Sequence, residues 1–131
     1  MLLIYRIEHK DTGTGPFQSD SEFSAVLCEK TSGPLPYDDG ITMSEIPWYW
    51  KFGCTTIDIL KTWFTLKDIN FDTVINTLDR EGFILVEYIV NSGKYLISNT
   101  GSQVVFDADD IDTVARRKKL KNLLNATKTV L

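Results

Sequence analysis

A chain of 131 residues, 43% of them hydrophobic, with no apolar run near the ~18 residues of a membrane span, is expected to fold as one domain over residues 1–131. Two cysteines, Cys28 and Cys54, and one histidine, His9, supply no metal-ligand spacing and no disulfide framework. With no leader pattern ahead of the first strand, a cytoplasmic protein with free, buried thiols and no metal is expected. Charge is uneven: residues 1–112 hold all 18 acids and net −10, while residues 113–131 hold no acid and net +6, so the body should repel nucleic acid.

The run Leu2 to Ile7 reads as a strand with a buried first half, ending in the charged group Glu8, His9, Lys10 and Asp11. A Thr/Gly loop follows and leads through Gly15-Pro16-Phe17. Ser19-Asp20-Ser21-Glu22 has capping-box spacing, and Phe23, Val26 and Leu27 recur at helical intervals, which predicts a helix over 20–30. A strand through Ala25 to Glu29 is the fallback. Two prolines and two glycines make Ser32 to Ile41 a surface loop. Asp38-Asp39-Gly40 looks like a fragment of a calcium loop, but the later ligands are missing and a tight turn is expected.

The aromatic segment Ile46 to Phe52 has two readings. It plugs one edge of the core, or Trp48, Tyr49 and Trp50 form a surface for a partner or a planar ligand. Thr55 or Thr56 caps a helix whose Ile57, Leu60, Trp63 and Phe64 share a face. Asp68 or Asn70 starts another, with Phe71, Val74, Ile75 and Leu78 on its stripe and Gly82 just past its end. Phe83 to Val90 is a strand, turned by Asn91 to Lys94 into an antiparallel return over Tyr95 to Ser98. A second Gly-containing turn leads into the strand Gln103 to Phe106. After Asp107 the spacing of Ile111, Val114, Ala115, Leu120, Leu123 and Leu124 predicts a helix. On it Arg116, Arg117, Lys118, Lys119 and Lys121 are a solvated face, with an acidic-partner or nucleic-acid patch as the alternative.

No Gly-rich phosphate loop, Gly-x-Ser-x-Gly elbow or local Cys-His pair occurs, which argues against hydrolases of familiar type. His9 is the one imidazole available as a general base. Against that stands the commoner role of a strand-end histidine as a hydrogen-bonded structural residue.

The pattern YRIEH, a short spacer, GPF, a glycine-cysteine pair before a helix ending in Trp-Phe, and finally QVVFD resembles a family of small phage and prophage proteins over nearly the whole chain. That resemblance implies a phage-encoded accessory protein in the cytoplasm of an infected bacterial cell. A more remote resemblance is to ADP-ribosyltransferase folds. It implies that Tyr5 and Arg6 hold NAD, that Gly15 and Phe17 form the loop after the first strand, and that the start of QVVFD carries the catalytic acid. Here Gln103 stands at that position, and a glutamine cannot supply the anionic group; Asp107 or Glu87 would have to do so from nearby.

The fold class expected is α+β, a mixed and largely antiparallel sheet with helices packed on it, built from the first strand, the 83–98 hairpin and the 103–106 strand. The function expected is binding of a host or phage protein, to counter a bacterial defence or redirect a host enzyme, with no cofactor. The alternative is an NAD-dependent ADP-ribosyltransferase, with His9, Gln103 and Asp107 as candidate catalytic residues. Arg6, His9, Phe17 and Gln103 are then expected around one concavity.

Overall fold

The computed structural model describes residues 1–18, 22–31, 40, 41, 44 and 46–125. The capping-box residues Ser19 to Ser21, and Asp38 and Asp39 of the calcium-like fragment, lie outside the described residues.

Six strands form one sheet: β1 (Leu2–His9), β2 (Lys51–Cys54), β3 (Phe83–Val90), β4 (Tyr95–Ile97), β5 (Gln103–Phe106) and β6 (Thr113–Lys118). Their spatial order is β4-β5-β2-β1-β3-β6, and every described pairing is antiparallel. The helices are α1 (Glu22–Lys30), α2 (Ile57–Trp63), α3 (Phe71–Arg80) and the short α4 (Asn122–Asn125), with a 3-10 turn at Pro16–Gln18. The architecture is α+β, as the alternation of strand and helix periodicities predicted.

Local chemistry sets the helix boundaries. The Thr56 hydroxyl accepts from the Ile59 amide at 3.1 Å to start α2, and the Asn70 side chain accepts from the Asp72 amide at 2.8 Å to start α3. Gly82 follows α3 at φ +93, a left-handed turn natural to glycine, with His9 Nε2 only 2.8 Å from where a Cβ would sit. Leu60, Phe64, Val74, Ile75 and Leu78 then pack with Ile7, Leu85, Leu120 and Leu123 as the main core on one face of the sheet. A smaller cluster of Ile4, Val86, Tyr88, Val90, Val104 and Phe106 fills the opposite face.

Several expectations are corrected. β1 runs on through His9, and its buried residues are Ile4, Arg6, Ile7 and Glu8, while Tyr5 is half-buried and Leu3 exposed. Phe83–Val90 and Tyr95–Ile97 are not a hairpin: β3 has β1 on one edge and β6 on the other, so the chain crosses over and β4 pairs with β5. The turn that joins a hairpin is therefore the one at Gly101, φ +76. Lys94 bonded to Asp110 at 2.7 Å and Asn91 bonded to the Asp112 carbonyl tie the crossover to the loop before β6.

The predicted last helix is instead the edge strand β6, paired residue by residue with β3 from Thr113↔Val90 to Lys118↔Leu85. Arg116, Arg117 and Lys118 are strand residues there. The apolar spacing that looked helical is divided: Ile111 and Val114 face solvent, whereas Leu120 and Leu123, beyond the strand, are fully buried. Lys51 and Phe52, the end of the aromatic segment, belong instead to the central strand β2. Cys54 is buried as expected, but Cys28 is exposed on α1.

Candidate functional site

β1 and β2 are paired at Tyr5↔Cys54 and part beyond it. Ile7 and Phe52, which would form the next pair on the helix side, instead become facing walls of a cavity of about 440 Å³. Its other walls come from Gly15, Pro16 and Phe17, from Cys28 on α1, and from Leu60, Trp63 and Phe64 on and after α2. Gln103, opposite Cys54 in the sheet, completes it. The aromatic wall is mutually braced, Phe17 meeting Trp63 edge-on at 5.7 Å and Phe64 tilted at 5.4 Å. The size lies within the range of small-molecule pockets.

Arg6 spans the gap between the strands. Its Nη1 donates to the Phe52 carbonyl at 2.8 Å, its Nη2 to the Gly13 carbonyl at 3.0 Å, and its Nε to Glu8 at 3.2 Å. Gly15 packs close by, where a Cβ would stand 3.3 Å from Nη2. Glu8 also accepts from Lys51 at 3.5 Å and from the Tyr88 hydroxyl. Burial presses the Arg6 pKa below its ordinary value although Glu8 pulls the other way. The Tyr88 phenol is pushed up by burial and then by its bond to Glu8, so it stays neutral.

Of the residues singled out in the sequence, Arg6, Gly15, Phe17 and Gln103 line this one cavity. The others lie elsewhere. Tyr5 sits across from Glu87 in the sheet, and its phenol is raised in pKa by burial and by that carboxylate. His9 lies edge-on to Phe83 at 5.4 Å, and its Nδ1 accepts from the Asp11 amide at 3.1 Å, a turn-stabilising role. Asp107 caps the end of β5, its carboxylate accepting from the Asp109 amide at 3.0 Å. None of the described cavity-lining residues is acidic. The described residues also contain no cluster able to hold a metal ion.

The aromatic segment divides between its two readings. Trp48 is 94% exposed and Tyr49 45% exposed, their rings edge to face at 5.8 Å, while Trp50 and Phe52 are half-buried.

Sequence reasoning missed Lys51 and Tyr88 as the further partners of Glu8 beside Arg6, and Cys28 as a wall. Strand alternation was the available signal for Glu8, because residues two apart on β1 share a face.

Residues 1–120 match a protein family described as the bacteriophage T4 Y00F protein. The chain belongs to that family. No curated protein and no solved structure matches it. Membership in the Y00F family bears out the resemblance to a family of small phage proteins carried by the YRIEH, GPF and QVVFD segments. No described helix is long and apolar enough to cross a membrane.

Proposed function

We propose that this Y00F-family chain is an accessory protein that binds a host or phage protein in the infected bacterial cell, to blunt a host defence or redirect a host enzyme. The observation that supports this reading is the Trp48–Tyr49 pair. An indole left 94% exposed beside a second aromatic ring contributes little to the fold, and such rings are the usual anchors of protein interfaces. The candidate acids and His9 are engaged in turns, caps and cross-strand pairs, which favours binding over chemistry. The test is capture of tagged protein from infected cells, followed by titration of the purified partner. Trp48→Ala/Tyr49→Ala should abolish both while leaving the melting temperature unchanged; undiminished affinity in that variant ends this reading.

A second reading, an NAD-dependent ADP-ribosyltransferase, has in its favour that Arg6, Gly15, Phe17 and Gln103 line one cavity. The residues present do not fit the reaction, because the described walls supply no carboxylate to oppose positive charge developing on a ribose, and Tyr5 and His9 lie off the cavity. Nicotinamide release from NAD, lost in Gln103→Ala, would restore it. Absence of any NAD-dependent thermal shift would end it.

A further inference from the structure

We propose that the cavity between β1, β2, α2 and the Pro16–Gln18 turn binds a small monocarboxylate with an aromatic or branched apolar body, its head directed to Arg6. This stands apart from the partner-binding reading, which uses the Trp48–Tyr49 surface. Three features favour such a ligand. First, Phe17, Trp63, Phe64 and Leu60 give the cavity an apolar, aromatic interior suited to a planar or branched group.

Second, Arg6 is the one charged side chain on the described wall. Around it Arg6 and Lys51 carry two positive charges against the single carboxylate of Glu8, Tyr88 being neutral. One negative charge would balance the group, and an anion near the guanidinium would relieve the cost of its burial. A phosphate-rich ligand brings more charge than this arrangement can neutralise. Third, three Arg6 N–H groups hold Glu8, Phe52 and Gly13, which fixes the guanidinium in place while the fork retains further donors.

Cys28 provides a reporter. Both cysteines line the cavity, but Cys28 is exposed, whereas Cys54 is buried with its thiol pushed up to about 12, so a maleimide should label Cys28 in preference. The probes are indole-3-acetate and indole-3-acetamide, which share ring and tether and differ in the charge of the head. Expected results are a several-fold slower maleimide labelling of Cys28 at saturating indole-3-acetate, a raised melting temperature, and about ten-fold weaker binding of the amide, as loss of one charge-assisted contact implies. Gln18→Trp, at an exposed wall position, should block the protection without lowering the stability of the free protein. Because the acid and amide comparison needs no substitution at Arg6, it remains decisive even where Arg6→Met fails to fold. Equal affinity of the two probes, or unchanged Cys28 labelling with both, overturns the proposal.

Discussion

Arg6 and Glu8 stand two residues apart on β1, and the Arg6 Nε donates to the Glu8 carboxylate at 3.2 Å with both residues less than a tenth exposed. The same carboxylate accepts from Tyr88 on β3 and Lys51 on β2, so one anion joins three neighbouring strands. Removing it strands a guanidinium and a phenol away from water. Glu8→Ala is therefore expected to lower stability by about 3–5 kcal/mol, the usual range for breaking a buried pair. Urea denaturation of the variant checks this, and a loss below ~1 kcal/mol would mean that water reaches the cluster.

Cys54 supplies a prediction about alkaline pH. Its ordinary value of 9.0 is raised to about 12 by burial, so the unfolded chain gives up the thiol proton before the folded one does. The stabilisation is complete below pH 9 and declines as pH rises toward 12, by up to about 1.4 kcal/mol per pH unit. Cys54→Ala should lose stability less steeply between pH 9 and 11. Parallel pH profiles for the two proteins would show that the folded thiol ionises early.

Two glycines should respond oppositely to alanine. At Gly53 an added Cβ would lie 2.3 Å from Ile4 Cγ2 and 3.0 Å from the Tyr5 carbonyl oxygen, and Ile4 is wholly buried. Gly53→Ala should cost about 1–3 kcal/mol by overpacking. At Gly93 the Cβ meets nothing within 4 Å, so Gly93→Ala should raise stability by about 0.4–1 kcal/mol through the unfolded chain. Thermal and urea melts of both variants measure the contrast; a destabilised Gly93→Ala would count against the open turn.

The edge strand β6 carries Arg116, Arg117 and Lys118, all exposed, along the rim of the sheet. Charges there discourage strand addition by another chain. Arg116→Val/Lys118→Val should melt within about 1 kcal/mol of the parent, since the Arg116–Glu87 contact is a surface pair. It should nevertheless associate as its concentration rises, as read by light scattering. A variant that stays monomeric throughout would show that the basic residues serve another purpose.

The elements legible in the sequence are those whose cause is local. Thr56, Asn70 and Gly82 mark the bounds of α2 and α3 because caps and left-handed turns are chemistry among near neighbours. The span Phe83–Val90 reads as a strand because both its faces bury apolar groups. Of Arg6, His9, Phe17 and Gln103, expected around one concavity, the fold gathers Arg6, Phe17 and Gln103 and leaves His9 outside. Strand partners were decided by the tertiary structure. β3 offers the same backbone groups on both edges, and it is the competition among β1, β4 and β6 for those edges that sends β4 to β5 and turns Thr113–Lys118 into a strand. The cavity has the same origin, since it exists because β1 and β2 separate after Tyr5 and Cys54, and no property of either segment alone states where two strands will part.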